Sequence, residues 1–252
     1  MIKKGKLLLF LALLMFLFLL FLRVNHQPRK TLYTCLDCNV ILITMDAVRA
    51  DHLGIYDYPK NTSPNIDNLA KEGIVFTQAY TQASWTLPSF ASLFTSLYPS
   101  VHKVGYTDDT TKLNQHLKTL AEILKEKNYT TAAFITVPYI SSYYNFNKGF
   151  DIYDESMVFS FKPSEKPNCE NITTKAIKWL EENKHTKFFL FLHYFGGHSP
   201  YNPPERYVKM FGFEYKGNLS LDKTDQELNE MNLTAEDVNY AITGYDGSIR
   251  YR

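Results

Sequence analysis

An excess of charge is the first thing this sequence lacks. Its 27 Lys and Arg residues meet 26 Asp and Glu, leaving a formal net charge of +1. That balance provides neither a basic face for nucleic acid nor an acidic solvating tail, and no nucleic-acid partner is expected. Cysteine is scarce as well, with three residues at Cys35, Cys38 and Cys169. Three are too few to frame a disulfide-built small domain or to complete a four-ligand structural zinc site. Cys35 and Cys38 have redox spacing, but they precede the first strand rather than a strand-to-helix turn. They are read as a short structural disulfide or as two ordinary thiols. Internal repeats and low-complexity tracts are missing beyond the N-terminal segment, which excludes solenoids and arrays.

Long apolar runs are nearly missing too. The single one, Leu7 to Leu22, is bracketed by Lys3, Lys4 and Lys6 before it and Arg23 after it. As a helix it spans about 24 Å, short of a hydrocarbon core of roughly 30 Å unless Lys6 and Arg23 snorkel to the two interfaces. No small-x-small cleavage site follows it. Residues 1–23 are therefore expected to be an uncleaved signal-anchor and transmembrane helix, residues 24–38 a stalk, and residues 39–252 a catalytic domain outside the cytoplasm. Five Asn-x-Ser/Thr triplets, at Asn61, Asn128, Asn171, Asn218 and Asn232, are compatible with export.

Aromatic residues, by contrast, are plentiful. The chain has 18 Tyr and 18 Phe, which suits a large packed core. Asn39 to Met45 and Phe188 to Phe195 read as buried strands, as does Thr130 to Val137; Ile74–Phe76 begins another. Between them lie helical patterns. One starts at Ser63-Pro64 and stops at Gly73, and another is opened by Pro88 and runs through Leu97. A third spans His116 to Lys127 and a fourth Thr173 to Lys184. Thr234-Ala-Glu-Asp237 reads as a capping box for a last helix. Strands alternating with helices predict an α/β fold with a doubly wound, mainly parallel sheet.

In such sheets ligands bind beyond the carboxyl ends of the strands. Asp46 follows the first strand directly. His198 lies in the loop after the strand ending at Phe195. Thr86 lies just before the Pro88 helix, facing its free N–H groups and positive dipole end, which favours an anionic substrate. Taken singly, Asp46 suits a turn cap, Thr86 an N-cap and His198 an exposed loop. Together they offer a carboxylate, a hydroxyl and an imidazole to one crevice, a set suited to metal-assisted attack on a charged ester.

The residues around these positions carry a resemblance. Asn39-Val-Ile-Leu-Ile-Thr-Met-Asp46-Ala-Val-Arg49-Ala-Asp51-His52-Leu-Gly54 resembles the opening of the sulfatase family. Thr62 to Gly73 does the same. Trp85-Thr-Leu-Pro-Ser-Phe-Ala-Ser-Leu-Phe-Thr-Ser-Leu-Tyr-Pro99, with His102 beyond, resembles its active-site signature. His193-Tyr-Phe-Gly-Gly-His198-Ser-Pro-Tyr201 resembles its histidine loop, and Tyr245 to Tyr251 the helix that follows. The resemblance implies the alkaline-phosphatase-like fold, with Asp46 a metal ligand and Thr86 at the nucleophile position and on the metal. His198 would contact the ester or its leaving group. It implies a divalent cofactor, calcium in sulfatases, or Zn, Mn or Mg in phosphoesterase relatives. Implied substrates are sulfated or phosphorylated small molecules, glycans or lipid head groups.

Three departures modify those implications. The family oxidises Cys or Ser to formylglycine, but the methyl group on Thr86 Cβ forbids that aldehyde, so none is expected. The signature's usual Arg is Phe90. The second Asp of the usual pair is Ala47, which thins the metal shell. Relatives in the superfamily that use Thr directly are phosphodiesterases and phosphotransferases. The sequence thus leaves three readings: a sulfatase-like hydrolase, a membrane-anchored phosphodiesterase or phosphotransferase using Thr86, and a catalytically dead anion-binding fragment. The family's later Asp-His or Asp-Asn metal pair does not occur before Arg252. The expectation is an N-terminal part of a longer enzyme, incomplete at its C-terminus and inactive alone.

Overall fold

The computed structural model describes residues 37–159 and 169–251, together with Met15 and Cys35. The expected signal-anchor and most of the stalk lie outside these residues. Among the described residues no helix is long and apolar enough to cross a membrane. The chain divides into Met1–Cys38 and Asn39–Arg252. In the first unit Cys35 and Cys38 form a disulfide, which settles that alternative.

The second unit is built on four strands: β1 (Val40–Met45), β2 (Thr130–Phe134), β3 (Ile152–Asp154) and β4 (Phe188–Tyr194). All pair in parallel, in the order β1-β4-β2-β3. The register runs Val40↔Phe189 to Met45↔Tyr194 on one side of β4, and Thr130↔Phe188 to Phe134↔Leu192 on the other. The central strand is the most apolar, as burial on both faces requires.

Five helices are used below: α1 (Pro64–Ala70), α2 (Thr86–Thr95), α3 (Leu120–Lys125), α4 (Cys169–Asn183) and α5 (Ala235–Tyr251). Side chains of β4 alternate between two layers, as the pleat dictates. Phe189 and Phe191 pack with Leu87, Phe90 and Phe94 of α2. Phe188, Leu190 and Leu192 pack with Ile172, Ala176 and Trp179, an i, i+4, i+7 stripe on α4. A third cluster joins Leu53 to Tyr245 and Ile249 of α5. β1 is an edge strand, and Ile41 and Ile43 stand exposed on one of its faces.

Caps explain several boundaries. Thr119 and Glu122 form a capping box that starts α3, and Thr234 and Asp237 exchange the same bonds before α5. The structure departs from expectation at several points, among them the helix expected from His116, which starts at Leu120. Ile74–Phe76 forms no strand: it pairs with nothing in the sheet, and Ile74 and Phe76 are 77% and 70% exposed. Strand preference is realised only where a neighbour and a buried face are available, and this segment has neither. β3, only three residues long, was not anticipated. Helix α2 begins at Thr86, two residues before Pro88, and ends at Thr95; its C-cap Ser96, with a φ of 58°, closes it in the left-handed region.

Candidate active site

The first strand hands its direction to Asp46. The Asp46 N–H still donates to Tyr194 O at 2.8 Å, so the residue is held by the sheet although it lies past β1. The chain then turns at Ala47, whose φ of 56° is unusual for a residue with a Cβ. Tyr245 pins this turn from α5. Its hydroxyl donates to Ala47 O at 2.9 Å and accepts from Arg49 N–H at 2.8 Å. On the other side Gly197 N–H donates to Asp46 O at 3.2 Å. A Cβ on Gly197 would lie 2.7 Å from that oxygen and from Val48 Cγ2, so the loop needs glycine here.

Thr86 is the first residue of α2. Trp85 is the N-cap, and no side-chain hydrogen bond caps the helix. The Thr86 hydroxyl is therefore not a cap; it donates to Asp46 Oδ2 at 3.2 Å. His198 stacks on Phe195 with ring centroids 4.6 Å apart, and its Nδ1–H donates to Ser199 O at 3.2 Å. That bond leaves Nε2 without a proton in the neutral ring. Asp46, Thr86 and His198 line one cleft of about 530 Å³, with Trp85 and Phe90 among its walls. The three positions singled out in the sequence are thus brought together. A larger cleft, about 1010 Å³, lies around Phe213 and Tyr215; no histidine lines it.

Sequence reasoning passed over His193 as a site residue. It lies on β4 in the face of Phe189 and Phe191, fully buried, with its ring 5.2 Å from that of Phe90. Its Nδ1 bonds Thr136 Oγ1 at 2.8 Å. Among the described residues its Nε2 has no hydrogen-bond partner, and it stands 3.6 Å from Asp46 Oδ2. The available signal was an imidazole at an inward position of an otherwise apolar run. Burial pushes the Asp46 carboxyl up. The His193 and His198 rings and the Thr86 hydroxyl outweigh that, so its pKa falls below the usual carboxylate value.

The donors present suit a divalent ion. A carboxylate oxygen and a hydroxyl lie 3.2 Å apart, and a buried imidazole nitrogen beside them lacks a partner. The set is lean: among the described residues no three His, Cys, Asp or Glu side chains are grouped to hold a metal. Ala47 contributes no carboxylate where the pattern usually has one.

The chain resembles known proteins in sequence and in fold. The chain is 26% identical over 185 residues to N-acetylglucosamine-6-O-sulfatase of Bacteroides thetaiotaomicron, covering 69% of this chain and 33% of that protein. It is 35% identical over 100 residues to arylsulfatase A of Homo sapiens, covering 37% of this chain and 19% of the relative. It therefore spans a third or less of these two relatives. Among solved structures, phosphonate monoester hydrolase of Agrobacterium radiobacter superposes with a TM-score of 0.65 at 19% identity, over 84% of this chain and 56% of that one. The zinc complex of the C-terminal periplasmic domain of EcEptC from Escherichia coli gives 0.60 at 18% identity, with the same coverage. These two likenesses show a shared fold. The Sulfatase family model matches residues 38–251, and the chain belongs to the sulfatase family.

Proposed function

We propose that the protein cleaves an anionic ester in a metal-assisted reaction in which the Thr86 hydroxyl is the attacking group. The observation that carries this reading is the hydrogen bond from Thr86 Oγ1 to Asp46 Oδ2 at the start of α2. The first-turn N–H groups and dipole of that helix attract an anion to the same place. A bound divalent ion would supply Lewis acidity to the ester oxygens and ease loss of the Thr86 proton.

The chain's own residues then perform the transfer. Thr86 Oγ1 bonds to the central phosphorus or sulfur as the bond to the leaving oxygen breaks, and its proton has Asp46 Oδ2 as acceptor. His198 as imidazolium protonates the leaving oxygen from Nε2. Now neutral, it takes a proton from the water that hydrolyses the Thr86 ester, and the departing Thr86 Oγ1 recovers its proton from Asp46. Phe90 and Trp85 give the cleft apolar walls beside the reacting groups. A threonine ester fits phosphoryl or phosphonyl substrates best, because the methyl on its Cβ excludes aldehyde chemistry. A lipid head group or glycan bearing such a group is the substrate class we favour.

The test compares an aryl phosphodiester, a phosphonate monoester and an aryl sulfate with the full-length protein. Turnover of a phosphoryl or phosphonyl ester is expected, with Thr86→Ala losing roughly ten-thousandfold in kcat and Thr86→Ser retaining activity. Turnover that persists in Thr86→Ala refutes the nucleophile. Preference for the aryl sulfate supports the second reading, a sulfate-ester hydrolase, which the family match favours. Anion binding without any turnover supports a catalytically dead module. We also read residues 1–23 as an anchor that leaves the domain outside the cytoplasm. Release of the protein from membranes by alkaline carbonate would refute that.

A further inference from the structure

Two buried histidines flank α2, and they differ in one respect. His102 Nδ1 accepts from Val104 N–H at 3.0 Å, so its proton lies on Nε2, 3.0 Å from Ser92 Oγ. Both nitrogens are satisfied, and the residue is structural. His193 is not satisfied. Thr136 Oγ1 lies within 3.2 Å of His193 O and can donate its single proton there. Its oxygen then accepts from His193 Nδ1–H at 2.8 Å. In this tautomer Nε2 carries a lone pair, fully buried, 3.6 Å from Asp46 Oδ2 and without a hydrogen-bond partner among the described residues. Thr44, opposite His193 in the ladder, does not relieve it, because its hydroxyl donates to Leu192 O. Phe90 covers the ring and offers no donor. An unpartnered buried acceptor next to a carboxylate is costly unless a cation joins them.

We propose that His193 Nε2 is a ligand of the ion held by Asp46 and Thr86, taking over from the carboxylate missing at Ala47, and that it makes the site prefer a transition-metal ion such as Zn²⁺ over Ca²⁺. The inference rests on the metal-assisted reading above. Two separations fit: ligands about 2.1 Å from a tetrahedral Zn²⁺ lie about 3.4 Å apart, between the 3.2 Å from Thr86 to Asp46 and the 3.6 Å from His193 to Asp46. Imidazole suits zinc-like ions, whereas calcium takes six to eight oxygens. Thr136 orients the ring from its far side, as a metal-bound histidine's outer partner does.

The test uses the full chain, stripped with chelator and titrated with Zn²⁺, Co²⁺ or Ca²⁺ by calorimetry. Wild type should bind Zn²⁺ and Co²⁺ more tightly than Ca²⁺. His193→Asn keeps a group able to reach Thr136 but has none at the Nε2 position. It should lose roughly tenfold or more in Zn²⁺ affinity. His193→Gln, with an oxygen near that position, should shift preference toward Ca²⁺. In ¹⁵N-histidine-labelled wild type, Zn²⁺ should move one Nε2 resonance while its Nδ1 stays protonated, a readout that needs no variant to fold. If wild type and Asp46→Asn both fail to bind any ion, the metal-assisted reading falls, and this inference with it. If wild type binds, Asp46→Asn does not, and His193→Asn matches wild type with no histidine resonance moved, only the role of His193 is overturned.

Discussion

Replacing Tyr245 by Phe should loosen the Asp46 turn while leaving the core filled. The ring is 7% exposed and packs edge-on against His52 and Tyr201, contacts that phenylalanine retains. Only the hydroxyl goes. Its loss removes one bond to Ala47 O and one from Arg49 N–H. At about 1 kcal/mol net for each bond, the cost is about 2 kcal/mol. For a domain of this size that lowers Tm by roughly 4–8 °C. The turn is predisposed to open, since a left-handed residue with a Cβ costs about 1–2 kcal/mol. Ala47→Gly in the Tyr245→Phe background should therefore recover part of the loss. Thermal unfolding by near-UV circular dichroism measures the shift, and amide exchange locates it. Arg49 N–H should exchange much faster while the β1 amides keep their protection. A Tm within about 1 °C of wild type, with Arg49 still protected, would show that the turn is held by something other than this hydroxyl.

Three further substitutions test the same frame. Gly197→Ala should displace the Asp46–Val48 backbone, because its Cβ meets Asp46 O at 2.7 Å; a crystal structure showing that turn unmoved contradicts this. Asp46→Asn should flatten the acid limb of the stability profile. A carboxyl whose folded pKa is depressed adds stability above its unfolded value of about 3.9 and loses it as pH falls through the folded one. Urea midpoints from about pH 7 down to pH 3 should thus converge for the two proteins, and a constant gap argues against the assignment. Asp246→Asn should cost roughly 3 kcal/mol, because the buried carboxylate accepts from Lys60, Tyr58 and His52, and Lys60 is exposed enough to be screened. Urea unfolding within a few tenths of wild type would show these bonds to be neutral.

The parts of the fold legible in the sequence were those decided locally. β4 was visible because a strand buried on both faces is apolar throughout, β1 because its run is β-branched and apolar although one face stands exposed, and α5 because Thr234 and Asp237 advertise its cap. Asp46, Thr86 and His198 were legible as a set because strand ends define where a parallel sheet binds its ligands. What escaped was decided at a distance. Ile74-Val-Phe has strand composition, but whether it pairs depends on which edge of the sheet is free. β3 is too short to leave a periodic trace. His193 reads as one more residue of a buried strand. Its meaning arises only from Thr136 and Asp46, each distant in sequence, converging on its two nitrogens. The onset of α2 was misjudged because Pro88 can also stand at the third helical position.

The pairing of β1 with β4 has a consequence in time. At a synthesis rate of roughly 5–20 residues per second, the stretch of about 150 positions between Val40 and Phe189 takes about 8–30 s to emerge. During that interval Val40–Met45 is finished but lacks β4, the one strand that pairs with it among the described residues. An apolar, β-branched hexapeptide waiting that long is the sort of segment that pairs with other nascent chains. Each newly made molecule is therefore most vulnerable before its central strand exists. Slowing translation ahead of codon 188 should raise the aggregated fraction, whereas slowing it afterwards should not.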